Sequence, residues 1–139
     1  MVHEEDAHNF LEAHGVGVVC TSSEHGDPWA AAVYYVTDEY GNVYFFTRSE
    51  TVKLQNIRKD PRVAFVVFDE KNQTTLQLSG QAAELTDLQQ LNLFYQKIQR
   101  SVASVRHPLP IEKLRDDGNY VIVKIEVGQS HFVDYTKMR

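Results

Sequence analysis

The chain has 139 residues, 42% of them hydrophobic, a size and composition that suit one domain with its own core. Its formal charge of −5 and pI near 5.6 set it against phosphate backbones, so a nucleic-acid partner is not expected. A lone cysteine, Cys20, excludes an intrachain disulfide and suits a reducing compartment.

The first ten residues, MVHEEDAHNF, are acidic and polar, unlike a secretory signal. No apolar run approaches the roughly 20 residues that span a bilayer. The expectation is therefore a cytoplasmic protein with no membrane partner. Ala7, Phe10, Leu11 and His14 share a helical face, predicting a helix over Asp6 to His14 that Gly15 ends. Val16 to Thr21 is apolar and β-branched, a strand, in which Cys20 reads as a small packed side chain. Gly26, Asp27 and Pro28 mark a turn. Trp29 to Thr37 (WAAAVYYVT) and Val43 to Thr47 (VYFFT) follow as strands around the turn DEYGN, an antiparallel hairpin.

At Arg48 the period changes. Val52, Leu54 and Ile57 predict a short helix to Arg58, with Ser49 or Thr51 as N-cap and Asp60-Pro61 as its stop. Val63 to Phe68 (VAFVVF) is apolar throughout and reads as a strand buried on both faces. Thr75 to Leu85 alternates: Leu76, Leu78 and Ala82 point one way, Gln77, Ser79 and Gln81 the other. Gly80 there marks a bend or bulge. Thr86-Asp87-Leu88-Gln89 has capping-box spacing and opens a helix with Leu88, Leu91, Tyr95, Ile98 and Val102 on one stripe. Pro108 and Pro110 interrupt it, and the pattern after them is compatible with a short helix at Ile111 to Leu114. Val121, Val123, Ile125 and Val127 alternate with Ile122, Lys124 and Glu126 as a sixth strand, broken at Gly128 and resuming from His131 to Tyr135. Short turns between strands point to a mainly β, six-stranded antiparallel barrel with peripheral helices, a single domain over residues 1–139.

The segment YFFTRSETVKL, Tyr44 to Leu54, concentrates chemistry. A strand hands over to a helix, and helix starts favour anions through free N–H groups and the dipole. Arg48, Ser49, Thr51 and Lys53 cluster there as a phosphate cradle, while Glu50 opposes it unless its side chain turns away. The plainer reading, a capped helix with solvated cations, stands beside it. The six histidines have no ligand spacing, so no metal site is expected. Asp38-Glu39 and Asp69-Glu70 read as solvated turn acids. Trp29, Tyr34, Tyr35, Tyr44, Phe45 and Phe46 fit core packing or a dimer seam, or a stacking surface for a planar cofactor.

The segments HGVGVVCTSSEHGDPWAAAVYYV, GNVYFFTRSETVKLQNIRKDPRVAFVVFD and LQLSGQAAELTD resemble, in order and spacing, the FMN-binding split barrels of the pyridoxamine 5'-phosphate oxidase-like superfamily. The resemblance runs from about His14 to Asp87. It implies a Greek-key split barrel, a homodimer, and FMN in a cleft between subunits. On that basis Ala31, Ala32, Val33 and Tyr34 would line the flavin. Phe46 and Thr47 would meet the ring or ribityl edge, and Thr51 and Lys53 would hold the phosphate. Thr75 would add a flavin contact, and Arg48 would supply part of a missing charge.

The sequence departs from the oxidase proper at Ala31 and Val52, where the family usually has arginines, and it lacks the C-terminal arginine motif for substrate. Charge-assisted hydrogen bonds contribute roughly 1.5–3 kcal/mol each, so two missing arginines would weaken phosphate binding by about two to four powers of ten. The expected function is thus an FMN-binding oxidoreductase-like protein whose substrate is not pyridoxamine phosphate and whose catalytic residues are unknown. The alternatives are an F420-binding reductase of the same fold, and a haem-binding or cofactor-free dimeric stress or regulatory module.

Overall fold

The structure, a computed structural model, describes residues 4–87, 89–94, 96 and 120–137. Helix α1 (Glu4–Ala13) leads into strands β1 (Val16–Ser22), β2 (Pro28–Thr37) and β3 (Val43–Arg48). Helix α2 (Val52–Lys59) then precedes β4 (Arg62–Asp69) and β5 (Thr74–Glu84). Residues 89–94 and 96 are helical and are labelled α3. The long strand β6 (Tyr120–Asp134) follows, with a 3-10 turn at Tyr135–Lys137. The strands pair antiparallel and close into a barrel in the order β1-β2-β3-β6-β5-β4.

Closure follows from strand alternation. Side chains one residue apart point to opposite faces, so each wall strand fills the interior with every second residue. Val19, Phe45, Phe65, Val67, Leu76, Val123 and Ile125 are at most 1% exposed and meet there. Leu11 of α1 and Leu54 and Ile57 of α2 join the same core. The Tyr35 hydroxyl donates to the Leu11 carbonyl at 2.7 Å in the interior. Burial raises that phenol well above its ordinary range. His14, just beyond α1, bridges the Phe10 carbonyl (2.8 Å) and the Asp69 carboxylate (3.2 Å), fastening the helix end to the wall.

The β2–β3 turn is built by Asp38, whose carboxylate accepts from the N–H groups of Tyr40 (2.9 Å) and Asn42 (3.0 Å) and from the Tyr44 hydroxyl (2.7 Å). Burial pushes the Asp38 carboxyl up, but these donors outweigh it and hold it below its usual value. Gly41 completes the turn at φ +83°, a conformation costly for any residue with a Cβ.

Three expectations are corrected. Strand β4 is not buried on both faces. Val63, Phe65 and Val67 fill the core, while Ala64 and Phe68 are exposed on the outer wall, because a barrel has only one interior. Gly128 does not break β6. Ser79 pairs with Gln129 and Gly80 with Val127, so Gly128 is the extra residue of a bulge and the strand runs on. Thr86 does not cap α3. Asp87 does, its Oδ1 accepting from Gln89 N at 2.9 Å, which moves the helix start one residue on. Thr51 occupies the cap position of α2 but makes no side-chain capping bond. Leu88, Tyr95, Ile98 and Val102 of the expected stripe, and the segment Ile111 to Leu114, lie outside the residues whose side chains are described.

The bulge depends on Gly80, where a Cβ would stand 2.1 Å from the Glu126 carbonyl oxygen. Gly80→Ala is expected to cost about 1–3 kcal/mol, read as a lower urea midpoint. An unchanged midpoint would mean that the β5–β6 ladder yields there freely.

Candidate cofactor site

The barrel wall is divided between β2 and β3. They pair only at Tyr35–Phe45, Val36–Tyr44 and Thr37–Val43. Before Tyr35, β2 is paired with β1 alone; beyond Phe45, β3 is paired with β6 alone. The two strands therefore present unshared backbone edges to each other across an opening. Helix α2 begins where β3 ends and packs on β1, β2 and β5. Asn56, on its buried face, donates to Thr21 Oγ1 of β1 at 3.0 Å and fixes the helix to the wall.

The opening gathers most of the residues singled out in the sequence. Ala31, Ala32, Val33 and Tyr34 all lie on the free edge of β2. Their side chains alternate: Val33 is in the core and Ala31 packs against it, whereas Ala32 and Tyr34 are exposed on the outer face. Phe46, Thr47 and Arg48 form the free end of β3. Phe46 packs outward with Val36, Tyr44 and Ile122, leaving its backbone at the edge. Thr47 is buried, and its hydroxyl lies 2.9 Å from that of Thr51.

The start of α2 is arranged for an anion. Thr51 Oγ1 donates back to the Arg48 carbonyl at 3.0 Å and so does not cover the first N–H groups of the helix. Lys53 stands in this first turn, half-buried, with no carboxylate partner among the described residues. Burial alone lowers its ammonium from the ordinary lysine value. A cation withdrawn from water without a counter-charge is electrostatically incomplete, and a phosphate would complete it. Arg48 is engaged differently from expectation: its Nε donates to Glu50 Oε1 at 2.6 Å, and its guanidinium lies 5.5 Å from the Tyr120 ring centroid.

Thr75 does not join this group. Strands β5 and β2 are separated by two other strands on either path around the barrel. Its side chain is buried, and its hydroxyl donates to the Val67 carbonyl at 3.2 Å. The aromatic set divides as well. Tyr35 and Phe45 belong to the core, and Tyr44 is stacked on Phe94 of α3 at 3.8 Å between centroids. Trp29 and Tyr34 remain exposed.

Sequence reasoning missed Asn56 and Tyr120. Asn56 was legible in principle, as a polar residue beside Leu54 and Ile57 in a helix that buries that face. Tyr120 depends on the β3–β6 register, which opposes it to Arg48 and which no local pattern encodes.

The outer wall beside the opening is apolar. Val16, Val18 and Cys20 of β1 oppose Tyr34, Ala32 and Ala30 of β2, and Val18 and Cys20 oppose Val66 and Ala64 of β4. Phe68 extends the same side of β4. Val16 is 52% exposed, Phe68 57% and Tyr34 38%. No helix among the described residues is long and apolar enough to cross a membrane.

The family model for pyridoxamine 5'-phosphate oxidase matches residues 3–134. The chain belongs to this family. No curated protein sequence matches it. Among solved structures, the haem storage protein HutZ of Vibrio cholerae superposes with a TM-score of 0.76 at 13% identity, covering 96% of this chain and 95% of HutZ. A FAD-binding protein of Mesorhizobium loti gives 0.71 at 17%, covering 94% of each chain. An F420 reductase gives 0.68 at 22%, covering 88% of this chain and 94% of the reductase. The pyridoxamine 5'-phosphate oxidase fold thus occurs in proteins named for three different cofactors.

Breaking the α2–β1 attachment with Asn56→Ala would leave the Thr21 hydroxyl buried without its partner. The expected loss is about 1–3 kcal/mol, seen in chemical denaturation. Thr21→Val together with Asn56→Leu should recover part of it, and equal losses in both variants would assign the effect to packing instead.

Proposed function

We propose that this single-domain protein binds FMN in the opening between β2 and β3 and acts as a homodimeric flavin-dependent oxidoreductase-type protein on a substrate other than pyridoxamine phosphate. The observation that carries the reading is Lys53: a half-buried ammonium without a carboxylate partner among the described residues, in the first turn of a helix whose cap hydroxyl is turned away. FMN, when bound, would supply the electron-accepting chemistry.

The chain's own residues would do the holding. Lys53 would bind the phosphate through a charge-assisted bond, and the first N–H groups of α2 would add to it. The unshared edge of β2 at Ala31 to Tyr34 offers backbone donors and acceptors to the flavin's polar rim. Its small outward side chains at Ala30 and Ala32 leave room for a flat ring. The edge of β3 at Phe46 and Thr47 would border the same ring. Thr75 has no part in this arrangement. Arginine is absent at Ala31 and Val52, which leaves the phosphate to Lys53 and the start of α2.

A second copy of the chain fits the apolar outer wall formed by β1, β2 and β4. Val16, Tyr34 and Phe68 there are more exposed than a solitary wall would favour, and the patch adjoins the opening. Burying it between two copies would remove it from water and close the cleft from one side.

Titration of the purified protein should give saturable FMN binding. Tight binding of F420 or haem with none of FMN would overturn the flavin assignment. Lys53→Ala should weaken FMN about 10- to 100-fold. Because burial lowers the Lys53 ammonium, its positive charge fails earlier on the alkaline side than for an exposed lysine. FMN affinity should decline there, and Lys53→Arg should retain it to higher pH. In sedimentation the parent should be a dimer and Phe68→Glu largely a monomer; a monomeric parent would refute the assembly.

A further inference from the structure

We propose that Glu50 acts as an internal competitor for the phosphate site, holding Arg48 away from the ligand tail and thereby setting how strongly the site favours a charged tail over an uncharged one. This inference rests on the phosphate reading of Lys53. Its basis is the geometry of the Arg48–Thr51 turn. The Arg48 carbonyl accepts from both the N–H (3.3 Å) and the hydroxyl (3.0 Å) of Thr51, so the turn is closed and Arg48 is held next to the start of α2. Its side chain is the second cation of that junction, after Lys53.

That cation is already engaged. Arg48 Nε donates to Glu50 Oε1 at 2.6 Å, and the Ser49 hydroxyl donates to the other carboxylate oxygen at 3.3 Å. Tyr120, across the β3–β6 ladder, carries the guanidinium on its ring side. Glu50 therefore has both oxygens occupied by its neighbours, and Arg48 is steered toward Glu50 and Tyr120. The net effect is one free positive charge at the helix start in place of two, with a carboxylate beside it. Arg48 and Glu50 are both solvent-exposed, so the pair is weak and separable. A phosphate can therefore compete for Arg48, and the strength of the Glu50 contact decides how far it succeeds.

Glu50→Gln removes the carboxylate's charge and retains its size. It should tighten FMN about 3- to 10-fold and steepen the loss of affinity with added salt. Riboflavin, which has the same ring without the phosphate, should bind as it does to the parent. In the Arg48→Ala, Glu50→Gln double variant most of the gain should vanish, since the gain comes from the released arginine. A gain that survives in the double variant would assign the effect to simple repulsion by Glu50 and overturn the proposal. So would unchanged FMN binding in Glu50→Gln. Lys53→Ala separates this failure from that of the phosphate reading. If Lys53→Ala weakens FMN and Glu50→Gln does not strengthen it, only the competitor role falls. If Lys53→Ala leaves FMN unaffected, the phosphate reading falls as well.

Discussion

The short shared ladder between β2 and β3 is the constraint on which this structure turns. The β5 ladders to β4 and β6 are long, whereas β2 and β3, like β1 and β4, are joined at three residue pairs, and β2 and β3 then part. A hairpin of aromatic and β-branched residues would ordinarily zip further. Here β3 is paired with β6 over its whole length and β2 with β1 from Pro28 to Tyr34, and the two diverge from each other before Tyr35 and beyond Phe45. The tight Asp38 turn and the Tyr35–Leu11 bond keep the joined end firm. The parted end is then free to present two backbone edges, and α2 follows directly from the end of β3.

How much of this was legible depends on the range of the forces involved. Elements governed by local pattern were readable: the alternation of Leu76, Leu78 and Ala82 with Gln77, Ser79 and Gln81, the helical face of Ala7 and Leu11, and the strand-to-helix change after Thr47. The wall strand β4 was misjudged because its outward residues are also apolar. Periodicity cannot tell a second buried face from an exposed apolar one. Gly128 looked like a stop because glycine weakens strands, yet the β5–β6 ladder absorbs it as a bulge. Thr86 and Asp87 were both competent caps, and one residue of register decided between them.

The same division holds for the site. The strand-to-helix junction that carries Thr51 and Lys53 was legible because helix-start signals are local. The placement of Ala31 to Tyr34 beside them came from the family resemblance, and strand order puts both at one opening. Thr75 was set among the flavin contacts by the family resemblance; the barrel order puts it on β5, where its side chain is buried and its hydroxyl donates to the Val67 carbonyl. The placement of Arg48 beside Tyr120 was illegible because it required knowing which residue of β6 faces which residue of β3. Family membership fixes the barrel, and structures sharing that fold are named for haem, FAD and F420.

Strand β1 has divided loyalties. Thr21 turns inward to anchor the helix that carries Lys53, while Val16, Val18 and Cys20 turn outward onto the bare apolar wall. Seven residues thus serve two separate surfaces, the packed interior with the Thr21 hydroxyl and the apolar outer wall. A shift of this ribbon along its own axis would disturb both together. Adaptation at either surface is therefore mechanically tethered to the other, and drift in this strand is confined to changes that each of them tolerates.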